Sequence, residues 1–250
     1  MATILHSEIS EPYPCPYLAD RDHQMENRLM IDVTAEEADA LLIRGWRRFG
    51  PHYFRPVCSH CQECLSVRIP VAEFSPSKSQ RRAFRKCQDL KVLLRVPQVD
   101  QERLDLYAAW HENREQIKGW PNNPLDANAY FHQFCFPHPC ARELAYYYED
   151  KLVGVGIVDE MPHSVSSVYF FSAPEFAHLS IGVASVLFEI KLARMRGLSY
   201  LYLGYNVLRC ESLRYKSAYR PQEILIGRPE LDATPVWAKL DLAAMSGVEN

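Results

Sequence analysis

Between residues 144 and 204 three strand-like runs are followed by an amphipathic helix and one more strand, and this order leaves few folds open. Leu144 to Glu149 looks like a strand, Asp150-Lys151 reads as a tight turn, and Leu152 to Asp159 reads as a second strand. Val165 to Phe171 is a third. A helix follows over about Ser180 to Arg196. Val183, Val186, Leu187 and Ile190 fall on one of its faces, and Gly197 stands where a C-terminal cap belongs. Ser199 to Gly204 is a buried strand. Three antiparallel strands, a covering helix and one more strand form an α+β unit.

The first half has a different texture. Residues 1–30 read as irregular, punctuated by Pro12, Pro14 and Pro16. Thr34-Ala-Glu-Glu37 has the capping-box spacing and starts a short helix that should stop near Gly45. Gly50 to Arg68, rich in Pro, His and Cys, reads as a loop or knuckle. Phe74-Ser-Pro-Ser77 is a turn leading into a basic helix from about Lys78, and Lys91 to Val96 is a strand. Gln101 to Lys118 is a helix with Leu104, Tyr107, Ala108 and His111 on one face. After Pro121 and Pro124, a second helix covers about Asp126 to Cys135. The expected division is an N-terminal cysteine-containing region with a basic helix, 1–95, and a second domain, 96–250, built on this α+β unit.

With 48% hydrophobic residues the chain can bury a core. No run approaches the roughly 18 to 20 apolar residues that span a bilayer. The N-terminus lacks a basic flank followed by an apolar stretch, so a cytoplasmic placement is expected. In a reducing compartment the eight cysteines are not expected to form disulfides. Cys58, Cys61 and Cys64 are spaced C-x2-C-x2-C, and Cys15 could complete a four-thiolate zinc or iron–sulfur site. The competing reading is buried or redox-sensitive thiols. Cys87, Cys135, Cys140 and Cys210 lack such spacing and read as packing residues. The net charge of −3 excludes a nucleic-acid polycation, but charge is local. Lys78, Arg81, Arg82, Arg85, Lys86, Lys91 and Arg95 face only Asp89, and Arg44, Arg47 and Arg48 form a smaller cluster.

Three stretches carry more than pattern. The first runs from Tyr148 through Gly154-Val-Gly156 and Asp159 to Ser166-Ser-Val-Tyr-Phe-Phe171. The second is Leu201-Tyr-Leu-Gly-Tyr205 with Tyr215-Lys216 and Tyr219-Arg-Pro221. The third is Arg55-Pro-Val-Cys58 through Cys61, Cys64 and Arg68, followed by Phe74-Ser-Pro-Ser-Lys78 and Arg81-Arg82. Together they resemble the arginyl-tRNA–protein transferase family from about residue 13 to 238. The Cys15-Pro-Tyr-Leu18 opening and short chain resemble its bacterial branch, the aspartate/glutamate leucyltransferases. The resemblance implies a cysteine-containing N-terminal region before an acetyltransferase-like (GNAT-type) core. It implies transfer of leucine from leucyl-tRNA to proteins beginning with Asp or Glu, which marks them for N-degron degradation. An arginyl-tRNA donor is the nearer alternative. An acetyl-CoA-dependent N-acetyltransferase is the more distant one, weakened because Leu179-Ser-Ile-Gly182 lacks paired glycines to hold a pyrophosphate. A non-enzymatic RNA-binding zinc protein would leave the Asp159 and Tyr215-Lys216 motifs unexplained.

An aminoacyl ester is already activated, so the chemistry requires no cofactor. The enzyme must orient amine and ester, stabilise an oxyanion and return a proton to the ribose. Asp159, Tyr215 and Lys216 are the catalytic candidates: Asp159 to hold the acceptor ammonium or accept its proton, Tyr215 and Lys216 for the ester carbonyl or the acceptor's acidic side chain. The alternative for Asp159 is a turn cap, and for Tyr215-Lys216 a solvated loop pair. Ser166, Ser167 and Tyr169, at alternating strand positions, are candidates to line the cleft, against a polar outer face. Tyr202 and Tyr205 are candidates to stack on the terminal adenine, against core packing. Arg214 and Arg220 stand behind Lys216 as readers of acceptor charge. Lys78, Arg81, Arg82 and Arg85 are candidates for the tRNA backbone, against a solvated helix face.

Overall fold

The computed structural model describes residues 1–122 and 124–240. Its N-terminal strands are β1 (Thr3–Ile9), β2 (Tyr13–Pro14), β3 (Asp22–His23) and β4 (Met25–Ile31). Helix α1 (Ala35–Leu42) starts from the expected capping box: Thr34 accepts from the Glu37 amide, and Glu37 reaches back to the Thr34 amide. Strands β5 (Arg47–Phe49), β6 (His52–Pro56) and β7 (Leu65–Pro70) precede helix α2 (Lys78–Lys86), which Ser77 and Gln80 cap in the same way. Strand β8 (Lys91–Arg95), helix α3 (Gln101–Lys118) and helix α4 (Ala127–Tyr130), extended by one π-helical turn, come next. Then follow β9 (Ala141–Tyr148), β10 (Lys151–Glu160), β11 (Ser164–Ser172), helix α5 (Ile181–Met195), β12 (Tyr200–Asn206), β13 (Glu223–Ile226) and β14 (Val236–Lys239).

Eight strands form one mixed sheet in the order β14-β13-β7-β12-β11-β10-β9-β8, and β1-β4-β6-β5 form a smaller antiparallel sheet. Helices α2 and α5 cover one face of the large sheet, where Ile69, Val165, Leu187, Ile190 and Leu201 are buried. Helices α3 and α4 cover part of the other face, over Val155, Ile157 and Phe171. Helix α1 and the small sheet cover the rest, around Trp46, Tyr53, Met161 and Tyr202. No helix among the described residues is long and apolar enough to cross a membrane.

The three antiparallel strands, helix and final strand fall where the sequence predicts them. Elsewhere the structure corrects the reading. The proline-punctuated residues 1–30 contain β1 and β4, paired from Thr3–Ile31 to Ile9–Glu26. Strand β1 is exposed throughout, so no apolar period announces it. The expected knuckle at 50–68 narrows to the loop 57–64, because β6 and β7 flank it. The large sheet draws strands from both sides of residue 95. Strand β7 is hydrogen-bonded between β12 and β13, and β8 extends the sheet beyond β9. On α3 the buried positions are Arg103, Leu106, Tyr107 and His111, while Ala108 is exposed. Arg103 enters the core because it pairs with buried Glu143, Nε to Oε2 at 2.9 Å. On α5, Ala184 is buried and Val183 is exposed.

Candidate active site

The sheet contains one parallel pair, β11 with β12. It pairs at Ser164–Tyr200, Val165–Leu201 and Ser166–Tyr202, after which the strands part. Two irregularities open the gap. On β12 the register with β7 slips between Tyr202 and Gly204, and Gly204 has φ +77°, where glycine avoids the steric cost of a Cβ. On β11 the register with β10 slips between Ser167 and Tyr169. That bulge overturns the simple alternation expected there. Ser166 and Tyr169 face the α1–α3 side, and Ser167 faces α5.

Arg47 enters this gap from β5. Its Nη1 donates to Ser166 Oγ at 2.7 Å and its Nη2 donates to the Ser167 carbonyl, so it occupies hydrogen-bonding groups that β12 leaves free. A Cβ on Gly204 would lie 3.4 Å from Arg47 Nε. Behind the gap, Glu189 of α5 is 1% exposed, with Ser167 Oγ donating to its Oε1 at 3.3 Å. Its Oε2 has no hydrogen-bond partner among the described residues. Burial raises the Glu189 carboxyl from 4.5 to about 8, against the downward pull of Ser167 and Arg47.

Lys216, in a short 3-10 turn over Arg214–Ala218, closes the gap from the β12 side and donates to the Tyr205 carbonyl at 2.6 Å. Burial and the Arg47 charge lower its ammonium from 10.5 to about 7. The structure thus joins Ser166, Ser167 and Lys216 with two residues that the sequence alone does not single out. Arg47 reads from sequence only as part of a basic cluster. Glu189 has a visible signal: a charge flanked by Phe188 and Ile190 on a helix read by its apolar face.

The other candidates lie elsewhere or are otherwise engaged. Asp159 is not beside an open loop. It is 2% exposed within β10 and ion-paired with buried Arg48, which also donates to the Gly50 carbonyl at 2.9 Å. Tyr53 and His138 share a 2.9 Å hydrogen bond in the same enclosure, and burial lowers His138 to about 4. Tyr169 bonds His111 Nε2 at 2.8 Å on the α3 side. The Tyr205 hydroxyl donates to the Gly45 and Phe54 carbonyls at 2.8 and 3.3 Å. Tyr202 is buried against Trp237, so its ring is not free to stack on a base. Arg214 and Tyr215 are exposed on the turn that carries Lys216, where Glu189 still acts on Tyr215, and Arg220 is exposed just beyond it.

Cys15, Cys58, Cys61 and Cys64 come into one neighbourhood, where burial and the other three thiols raise Cys64 to about 12. Among the described residues, however, no three His, Cys, Asp or Glu side chains are placed to hold a metal ion. Cys58 instead accepts from the Gln24 amide at 3.4 Å, and Arg228 ties the loop through the Cys58 and Cys61 carbonyls at 2.9 and 2.8 Å.

Residues 13–82 match the family model described as arginine-tRNA-protein transferase, N terminus, and residues 102–226 match its C-terminal counterpart. The chain belongs to the arginine-tRNA-protein transferase family. Relatives in this family include the aspartate/glutamate leucyltransferase of Campylobacter jejuni subsp. jejuni serotype O:6, 42% identical over 228 residues, covering 90% of this chain and 95% of that protein. The enzyme of the same name from Helicobacter hepaticus is 32% identical over 229 residues, covering 91% and 95%. The gap between β11 and β12 lies within the family's C-terminal match, while Arg47 comes from the N-terminal match. Among solved structures, FemX shows 10% identity and a TM-score of 0.49 over 90% of this chain and 74% of that one. L-PGS from Bacillus licheniformis shows 13% and 0.43 over 68% and 50%. Both likenesses are too loose to inform this chain's chemistry.

Proposed function

We propose that this chain is a cytoplasmic enzyme that moves leucine from leucyl-tRNA to the N-terminal Asp or Glu of proteins, which marks them for N-degron degradation. The observation that carries this reading is that two cations, Arg47 and Lys216, and the buried acid Glu189 gather around the strand separation. An acceptor beginning with Asp or Glu presents an α-amine and a carboxylate about one side chain apart, and this site offers cations for the carboxylate and a buried carboxyl that can exchange a proton with the amine. The relatives' names support leucine as the transferred group. An acetyltransferase-like core is our reading of the β9–β12 and α5 order.

The chemistry follows from these groups. Lys216 meets the acceptor carboxylate, which restores the charge that burial withdraws. The acceptor amine has a reference pKa of about 7.7 to 8.0, close to that of Glu189, so a proton can pass between them at little cost. Ser167, half-buried between the gap and Glu189, is the bridge. The amine nitrogen attacks the ester carbonyl carbon, a C–N bond forms, and the C–O bond to the ribose breaks. The amine's proton passes to Glu189 and then returns to the departing ribose oxygen. No cofactor is required. Lys78, Arg81, Arg82 and Arg85 hold the tRNA backbone.

The test is purified protein incubated with labelled leucyl-tRNA, arginyl-tRNA or acetyl-CoA and peptides beginning with Asp, Glu, Arg or Lys. Leucine on the Asp and Glu peptides alone is expected. Arginine transfer, acetyl transfer, or no transfer from any donor would overturn the reading.

A further inference from the structure

Helices α2 and α5 enclose a groove of about 670 Å³ on the face of the sheet that Glu189 approaches. Its floor is apolar: Phe74, Phe84, Leu187 and Ile190. Its walls carry Lys78, Arg81 and Arg85 from α2 and Lys191 and Arg194 from α5, and no acidic residue lines it. Arg194 is engaged with the Val71 and Phe74 carbonyls at 3.1 and 2.6 Å, and Arg81 reaches the Pro76 carbonyl. Lys78, Arg85 and Lys191 are exposed and have no ion-pair partner among the described residues. Arg82, on the same helix, does not line the groove.

Like charges gathered over an apolar floor repel one another unless an anion lies between them. A duplex backbone would need only the charges. An apolar floor in addition suits a ligand that alternates phosphates with exposed flat rings. Helix α2, which forms one wall of the groove, also touches the reaction centre: Gln80 donates to the Ala218 carbonyl at 3.0 Å, at the end of the turn that carries Lys216.

We propose that the α2–α5 groove binds unpaired nucleotides of the donor RNA's 3′ end, with bases against Phe84, Leu187 and Ile190 and phosphates on Arg85 and Lys191. This rests on the transferase reading, since the ester at that 3′ end must reach the strand separation. Three residues of α5, Leu187, Ile190 and Lys191, thereby join the basic helix in holding the donor, and the groove takes single-stranded RNA rather than the duplex arm.

The test uses fluorescence anisotropy with a labelled RNA tetranucleotide ending in CCA, the same sequence locked in a duplex, and phosphatidylglycerol vesicles as a competing anionic surface. The wild-type chain should prefer the unpaired RNA. Arg85→Gln with Lys191→Gln, both at exposed positions, should weaken that binding roughly tenfold or more. The log–log salt slope should fall by about 0.7 for each phosphate that is no longer neutralised, with an unchanged melting temperature. Phe84→Ser should weaken binding more than Phe84→Leu, and the double variant should raise the KM for leucyl-tRNA. Unchanged affinity and slope, equal binding of the duplex, or vesicle binding through the same residues that RNA does not displace would each overturn the proposal. Oligonucleotide binding that obeys these expectations in a protein that transfers no leucine would support the groove and sink the functional reading. Leucine transfer with an unchanged KM in the double variant would do the reverse.

Discussion

Replacing Glu189 by Gln should separate its roles in stability and in transfer. The buried carboxyl is raised from 4.5 to about 8, chiefly by burial, and is faced by Arg47 from β5 and Ser167 from β11. It also acts on Tyr146 of β9 and on Tyr215 and Tyr219 beside the 3-10 turn. Because the folded chain favours the neutral acid, this group's contribution to stability is full below about pH 4.5 and is lost as pH rises through 8. At about 1.4 kcal/mol for each tenfold change in proton affinity, the loss amounts to at most about 5 kcal/mol. Glutamine has the same shape, is neutral at every pH and avoids the loss. Glu189→Gln should therefore melt close to wild type at pH 4.5. Its Tm should exceed the wild-type value by a margin that grows to roughly 10 °C by pH 9, given about 2–4 °C per kcal/mol for a chain of this size. Glutamine cannot take a proton, so single-turnover leucine transfer at pH 7.5 should fall about 10²- to 10⁴-fold. Calorimetry at pH 4.5, 7 and 9, with a rapid-quench assay, reads both effects. A Tm difference independent of pH would refute the buried acid, and undiminished transfer would refute its catalytic role.

Three further expectations follow from the same geometry. Lys216→Met should remove most of the preference for Asp over Asn at the acceptor's first residue. A charge-assisted bond is worth about 1.5–3 kcal/mol, so the kcat/KM ratio should drop roughly ten- to a hundred-fold; an unchanged ratio would pass the role to Arg47, Arg214 or Arg220. Asp159→Asn should cost about 3–5 kcal/mol of stability because it strands buried Arg48, while Arg48→Met with Asp159→Leu should recover most of it. A stable Asp159→Asn protein without transfer activity would instead return Asp159 to the catalytic group. Prolonged chelation should leave the Tm unchanged, because Arg228 ties the cysteine loop through the Cys58 and Cys61 carbonyls; a large fall would mean that a structural metal had been removed.

Part of this protein is fixed by local chemistry, and that part can be read directly. Thr34 and Ser77 cap helices because each finds its partner three residues away, and Gly197 adopts the left-handed conformation its cap position demands. The β9–β12 and α5 order follows from a single apolar face on each element, and the paired motifs that surround it mark the family. Neighbours remote in sequence decided the rest. Strand β7 was hidden within a cysteine-rich stretch, since its partners β12 and β13 lie over 130 residues away. Asp159 has the sequence setting of a reactive carboxylate, yet Arg48, 111 residues distant, occupies it. Arg47 and Glu189 become a site only where β11 and β12 part, an opening made by two register slips that no sequence period records. Periodicity reports which face of an element is buried. Which charge meets which in the interior depends on the packing of whole layers.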